Sequence, residues 1–274
     1  MSTDMAASTR PAERANFAGR LAGWASKARP FLSIPIVLGL WEGIIVFFAV
    51  EPFVFPAPTA IAVALVNGLF GGSYISGLQV TLTEIGAGFA LGSVTGLGLG
   101  ILLVSVPMLN RVVFPWVVAI QTVPKVAIAP LMVVWFGFGI QSKILIVALT
   151  CLFPVLVNTI AGLRSTDPDR VALVRALCGS RWQLLRYVHL PSALPYIFAG
   201  LNTAIVFAVI GAIVGEFVGA RSGIGVLILQ ANYNLDLAAV FALLTLIAIV
   251  GVLLNIAVRF IERKICFWNA RSSS

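Results

Sequence analysis

Long blocks of apolar residues with almost no charge run through most of this chain, and they constrain its fold more than any other feature. A block of about 18 or more such residues is long enough to cross a bilayer as an α-helix. Hydrophobic residues make up 60% of the 274 positions and charged residues only 10%, an excess that the core of a soluble domain does not absorb. The sequence therefore predicts an all-α integral membrane protein.

The apolar blocks predict about six transmembrane helices within a membrane domain of residues 31–262. Their approximate bounds are Phe31 to Val50, Gly77 to Val106, Val112 to Phe136, Lys143 to Leu163, Ala193 to Val218 and Leu237 to Ile261. Residues 1–30 and 263–274 are predicted as cytosolic tails. In the first tail Phe17, Leu21 and Trp24 recur at helical spacing, which suits either a helix at the membrane surface or a disordered segment.

The distribution of Lys and Arg predicts the orientation of the chain. With the N-terminus inside, every Lys and Arg except Lys125, Lys143 and Arg221 falls on a cytosolic segment or, for Arg259, at the cytosolic end of the last span, as the positive-inside rule requires. We expect a multi-pass protein of the bacterial inner membrane with both termini cytosolic. The basic residues flank apolar blocks and form no stripe with aromatic residues, so the net charge of +8 does not predict nucleic-acid binding.

Two of the predicted spans carry special residues. Gly88, Gly92, Gly96 and Gly100 recur every fourth residue in the second span, and such a ridge lets helices pack closely in lipid. We therefore expect this span to be central. The third span contains three prolines, each of which frees a carbonyl group, and this predicts a kinked helix that lines a pathway. They are Pro115, Pro124 and Pro130.

The polar segment 164–192 is patterned like a folded loop. Thr166 or Asp167 can cap a helix that starts with Pro168 and runs to Leu177 or Cys178. Gly179 is predicted to break that helix and Ser180 to cap a second one. Pro191 and Pro195 are predicted to stop the second helix from continuing straight into the fifth span. Two short helices meeting at Gly179 would form a cytosolic knob.

This loop resembles the EAA loop of binding-protein-dependent ABC transporter permeases, whose pattern is Glu-Ala-Ala, three residues, Gly, nine residues, Ile, one residue, Leu-Pro. The positions that correspond to this pattern are Ala172 for the acid, Leu173 and Val174 for the alanines, Cys178 for the glycine, Val188 for the isoleucine, and Leu190-Pro191. The loop thus departs from the pattern at the acidic, alanine, glycine and isoleucine positions. The C-terminal half resembles it best.

Four further blocks in the same order resemble the nitrate, sulfonate, taurine and thiamine-precursor subfamily. They are Phe55-Pro56-Ala57-Pro58-Thr59, QTVPKVAIAPLMVVWFGFG from Gln121, FPVLVNTIAGLRSTDP from Phe153, and GAIVGEFVGARSGIG from Gly211. The resemblance implies a type I ABC importer permease fold with a cytosolic two-helix coupling loop. It also implies two cytosolic ATPase subunits, a second permease copy and an external solute-binding protein.

The resemblance assigns ATPase coupling to the residues around the bend. They are Arg175, Ala176, Leu177, Cys178, Gly179, Ser180, Arg181 and Trp182. The two arginines equally suit a role in holding the loop at anionic lipid headgroups. No GxxxxGK[ST] phosphate loop occurs in the sequence, so we expect ATP and Mg²⁺ on the partner ATPase and no cofactor or metal on this chain. No catalytic residue is predicted.

Polar residues inside apolar spans are costly and are therefore candidates for the translocation pathway. The candidates are Glu84, Gln121, Lys125, Asn158, Asn202 and Glu216. Lys125 suits either a contact with an anionic solute or an ion pair with Glu84 or Glu216. The amides suit either a polar solute or hydrogen bonds between helices. Thus the pattern predicts a polar pathway without fixing which residue meets the solute.

Two other functional classes compete with the ABC permease. An ion-coupled secondary transporter would explain the spans and the buried charges, but it gives no reason for a folded cytosolic loop. A membrane-embedded enzyme would need paired carboxylates, a metal set or a nucleophile with its base, and no loop of the sequence shows one. We therefore expect the permease of an importer for a small polar or anionic organic solute, of the sulfonate, taurine, nitrate, thiamine-precursor or related aromatic type.

Overall fold

The computed structural model describes residue 33 and residues 35–268, and over this part the protein is helical without strands. The expected surface helix around Phe17 and the last residues of the C-terminal tail lie outside the described residues. The helices, in chain order, are α1 Pro35–Phe47, α2 Pro58–Phe70, α3 Ser73–Ser105, α4 Pro107–Gln121, α5 Lys125–Phe136, α6 Ile140–Arg164, α7 Pro168–Ala176, α8 Arg181–Leu184, α9 Leu190–Gly219, α10 Ile224–Tyr233 and α11 Leu237–Ile265.

Four helical segments in the described part are long and apolar enough to cross a bilayer: α3, α6, α11, and the continuous helix from Arg181 to Gly219. A fifth span results if α4 and α5 are counted together. The first of the six predicted spans is represented by α1, which at 1.5 Å per residue is about 20 Å long, against about 30 Å for the bilayer core. The all-helical membrane fold is confirmed.

The third predicted span is broken. Helices α4 and α5 meet at an angle of 97° across residues 122–124, whereas the sequence predicted one kinked helix. Pro124 has no N–H group to continue the helix, and the amides of Thr122 and Val123 donate instead to carbonyls three residues back. Pro115 and Pro130 remain inside their helices. Only one of the three prolines therefore breaks the span.

The glycine ridge of α3 packs closely against another helix, as predicted, and that helix is α6. All four ridge glycines are buried, and a Cβ atom on Gly92 would lie 2.4 Å from the Ala148 carbonyl oxygen. Helix α9 packs on an adjacent face of α6, where Gly162 and Gly200 make similarly close approaches. Helices α3, α6 and α9 thus form the core of the molecule. This core positions the cytosolic loop and the buried pathway candidates Glu84 and Glu216.

Candidate functional site

The first helix of the cytosolic loop starts as its sequence predicts. Asp167 is the N-cap of α7, and its carboxylate accepts a hydrogen bond of 2.9 Å from the Asp169 amide. Pro168 occupies the first turn, where its missing N–H group costs nothing. Of the two predicted caps, Asp167 is therefore the one used. Thr166 instead donates to the Leu163 carbonyl and accepts from the His189 ring at 2.9 Å, which ties together the two ends of the loop.

The bend itself is formed by Cys178 and not, as predicted, by Gly179. Cys178 has a φ of +58°, in the left-handed region. The Gly179 amide donates to the Val174 carbonyl at 2.9 Å and the Cys178 amide to the Arg175 carbonyl at 3.0 Å. These two bonds form a Schellman motif, which requires a left-handed residue at the position of Cys178. Gly179 is needed for space, because a Cβ there would lie 2.5 Å from Val174 Cγ1.

This geometry explains the unusual cysteine. The residue that corresponds to the glycine of the EAA pattern is Cys178, and Cys178 is the residue that adopts the conformation glycine favours. The loop therefore has the shape that the pattern implies, although the glycine is replaced.

Replacing Cys178 by glycine is expected to stabilise the protein by about 1 kcal/mol. A non-glycine residue in the left-handed region costs about 1–2 kcal/mol, which glycine avoids. The greater conformational entropy of glycine in the unfolded chain offsets part of this gain. Thermal unfolding in detergent measures the change. Cys178→Ala is the matched control, since it removes the thiol and keeps the strained backbone. An equal gain in both variants would contradict the strain argument.

The second loop helix begins with a capping box. The Ser180 hydroxyl accepts from the Gln183 amide, and the Gln183 side chain accepts from the Ser180 amide. The helix then continues through a π turn, Leu185–His189, into α9 without a break. The sequence predicted that Pro191 and Pro195 stop the second helix from continuing straight into the fifth span, whereas the two form one continuous helix from Arg181 to Gly219. Pro191 has no N–H group for the carbonyl four residues back, and the wider π turn that precedes it accommodates this loss.

The bend presents a set of exposed side chains. Leu177 is 74% exposed and Trp182 is 64% exposed, and Arg175 and Arg181 are also exposed. Exposed apolar side chains that lie together on a surface mark interaction sites more often than single ones do. Of the eight residues predicted for coupling, only Gly179 is half-buried. The loop therefore offers a rigid knob with an aromatic residue and two cations.

A second polar site lies buried among α3, α6 and α9. Its members are Thr81, Glu84, Lys143 and Glu216, each of them at most 2% exposed. The Glu216 carboxylate accepts from the Thr81 hydroxyl at 2.6 Å and from the Gly225 amide. Thr81 in turn accepts from the Ile224 amide at 2.9 Å. The cluster thus fastens the loop before α10 to the helix core.

Two glycines make this attachment possible. Gly223 has a φ of +129°, and a Cβ there would lie 2.3 Å from the Glu216 carboxyl carbon. A Cβ on Gly225 would lie 2.8 Å from Glu216 Oε2. The glycine-rich stretch that ends at Gly225 is therefore a close-packed anchor for Glu216.

The cation of this cluster is Lys143, not Lys125. Lys143 interacts electrostatically with Glu84 and Glu216, and its ammonium donates to the carbonyls of Phe138 at 2.6 Å and Gly139 at 2.9 Å. Lys125 instead donates to the Gln121 carbonyl at 3.3 Å, with its ammonium 5.3 Å from the centre of the Phe153 ring. The sequence placed Lys143 at the edge of a span, so its partners across the fold were missed.

The remaining pathway candidates do not converge on one site. Asn202 donates to the Glu262 carboxylate at 2.8 Å, which joins α9 to α11. Asn158 donates to the Pro154 carbonyl of its own helix at 2.8 Å. Gln121 is exposed at the end of α4, next to the break that carries Lys125. Within the described part of the chain, no group of three or more His, Cys, Asp or Glu residues is placed to hold a metal ion.

Comparison with known proteins decides the family. A family model described as "Binding-protein-dependent transport system inner membrane component" matches residues 88–266. The chain belongs to this family. The matched region contains α6, α9, the cytosolic loop and the part of α3 from Gly88 onward. The resemblance seen in the sequence is confirmed.

The relatives of this permease carry different solute names. It is 36% identical over 250 residues to the riboflavin transport system permease protein of Chloroflexus aurantiacus, which covers 88% of this chain and 91% of that protein. It is 33% identical over 242 residues to the formylaminopyrimidine transport permease protein of Halalkalibacterium halodurans, with 88% and 96% covered. It is 34% identical over 233 residues to a putative aliphatic sulfonates transport permease protein of Bacillus subtilis, with 85% and 84% covered.

The fold of the permease matches solved transporters. It resembles a chain of the inward-facing MetNI methionine ABC transporter with a TM-score of 0.61 and 25% identity, over 69% of this chain and 94% of that one. The type I importer fold is therefore confirmed. The protein is a multi-pass permease of an ABC importer for a small solute.

Proposed function

We propose that two copies of this permease form the alternating-access pathway of an ATP-driven importer that takes a small polar or anionic organic solute from an external binding protein. Two separate cytosolic ATPase subunits hold ATP and Mg²⁺. The observation that carries the proposal is the knob from Arg175 to Trp182, which is ordered by its Schellman motif and capping box and is exposed. An ion-coupled carrier has no need of such a knob.

The order of events follows from the positions of the two sites. Closure of the ATPase pair displaces the knob, and the helix that starts at Arg181 carries the displacement into the core formed with α3 and α6. The pathway opens inward after hydrolysis. Both termini are cytosolic in this arrangement, since the basic loop and the basic end of α11 then face the ATPases and the anionic inner leaflet.

The break between α4 and α5 supports a class of solute. Lys125 is half-buried there, and its ammonium lies beside the Phe153 ring. A cation next to an aromatic face suits an anionic group or a polar heteroaromatic ring. The names of the riboflavin and formylaminopyrimidine relatives support the heteroaromatic class, and that of the sulfonate relative supports the anionic one.

The six pathway candidates separate into two groups within one chain. Gln121, Lys125 and Asn158 are exposed or half-buried, and we propose that these three line the pathway. Glu84, Glu216 and Asn202 are bound to other helices or loops, and we propose that they hold the permease together.

Uptake by proteoliposomes tests the proposal. The permease, its cognate ATPase and its binding protein are reconstituted together, and uptake of radiolabelled riboflavin, a pyrimidine and an aliphatic sulfonate is measured. We expect uptake of at least one solute to require ATP and binding protein and to persist when ionophores collapse all ion gradients. Uptake that stops with the gradients and proceeds without ATP would instead establish a secondary transporter.

A further inference from the structure

The buried cluster contains a hydrogen bond that two ionised side chains do not make. The side chains of Glu84 and Glu216 are hydrogen-bonded to each other, and each is 1% exposed. The oxygens of an ionised carboxylate can only accept, so a bond between two carboxyl groups needs a proton on one of them. Such a bond therefore requires one proton within this pair.

The other contacts of the two residues show which one carries it. Both oxygens of Glu216 already accept, Oε1 from the Thr81 hydroxyl and Oε2 from the Gly225 amide. These donors stabilise an ionised carboxylate. Oε2 of Glu84 is buried, and no N–H or O–H group of the described residues donates to it. Glu216 is thus the acceptor of the pair, and Glu84 is the donor.

The charge balance of the cluster gives the same result. Lys143 is 2% exposed and interacts electrostatically with both carboxyl groups. Arg221, which is exposed, is the other cation that acts on Lys143. With Glu84 neutral, one ammonium and one carboxylate remain in the cluster, and no net charge is buried. With both carboxyl groups ionised, a second negative charge would be buried away from water, which is far more costly.

We propose that Glu84 is a proton-binding site, a neutral carboxylic acid that donates to Glu216 and so joins α3 to α9 and to the loop before α10. The ligand is a single proton that stays bound while the permease is folded. This inference does not depend on the proposed transport function, because it concerns a contact within one chain.

Glutamine at each position distinguishes this arrangement from an ordinary ion pair. Glutamine resembles a protonated carboxyl group, so Glu84→Gln is expected to keep the unfolding temperature of the purified permease. Glu216→Gln places an NH₂ group or a weaker acceptor against the Thr81 and Gly225 donors, and Lys143→Met leaves a buried carboxylate without its cation. Each of these two variants is expected to lower the unfolding temperature by roughly 10 °C.

Infrared spectroscopy of the permease at neutral pH gives a second, independent measurement. We expect a C=O band of a protonated carboxylic acid in the native protein and in Glu51→Gln, in which an exposed carboxyl group is removed, but not in Glu84→Gln. Absence of the band from the native protein would overturn the proposal. So would a loss of stability in Glu84→Gln equal to that in Lys143→Met, or a native unfolding temperature that rises with Na⁺, since a metal cation would then neutralise the site.

Discussion

A chain in which Arg181 is changed to Glu and Trp182 to Ala is expected to lose its ATPase on purification in mild detergent, and to lose ATP-driven uptake with it. Both side chains are exposed on the second loop helix directly after the Cys178 bend. Trp and Arg are the residues that most often carry the binding energy of an interface, and each truncation costs about 2 kcal/mol or more, or about 30-fold in affinity.

The same loop supplies a matched control. Arg186 and Tyr187 also place a cation beside an exposed aromatic ring, but five residues further along the helix, within the π turn. The variant with Arg186→Glu and Tyr187→Ala therefore makes the same changes in charge and size away from the bend. We expect it to retain the ATPase. Equal loss in both variants would show that overall loop charge, and not the knob, holds the partner.

Adding a single methyl group to Gly92 is expected to destabilise the permease by about 3 kcal/mol. The new Cβ in Gly92→Ala would lie 2.4 Å from the Ala148 carbonyl oxygen and 2.8 Å from Cys151 Cβ. The carbonyl belongs to the α6 backbone, so the whole of α3 has to move away and loses close contact along the ridge. Overpacking of this kind typically costs 1–3 kcal/mol, and a backbone obstacle places it at the upper end.

Gly98 on the same helix provides the comparison, because a Cβ there meets nothing within 4 Å. Gly98→Ala is expected to leave stability unchanged or to raise it by up to about 1 kcal/mol through helix propensity. Thermal unfolding of both variants in one detergent measures the difference. If Gly92→Ala unfolds at the temperature of Gly98→Ala, the ridge does not hold α3 and α6 together.

Features that depend on local chemistry were predictable from the sequence. Asp167, Pro168 and Ser180 act within one helical turn of their own positions, so the start of each loop helix could be predicted. The α3 ridge was also predictable, because its four-residue period places Gly88 and Gly92 on one face whatever they pack against. The span at Pro124 was predicted to kink, but the size of the bend depends on how α5 packs against α6 and α9.

Features that depend on contacts across the fold were not predictable. Lys143 interacts with Glu84 and Glu216 only because α3, α6 and α9 pack together there. The spacing of residues along the sequence does not predict which helices pack together. At the bend, propensity favoured Gly179 over Cys178 for the left-handed position. The Schellman hydrogen bonds to the Val174 and Arg175 carbonyls instead require the left-handed conformation at Cys178, one residue before Gly179. Tertiary and hydrogen-bond context thus overrode the residue preference.

The helix from Arg181 to Gly219 is one uninterrupted piece of 39 residues. At 1.5 Å per residue it is roughly 58 Å long, and it has the exposed knob at one end and Glu216 near the other. This single helix therefore connects the cytosolic knob to the buried cluster that contains Glu216. Between these ends, the π turn Leu185–His189 interrupts the α-helical hydrogen-bond pattern. Along this helix, a displacement of the knob reaches the loop that Glu216 holds only by passing through that turn.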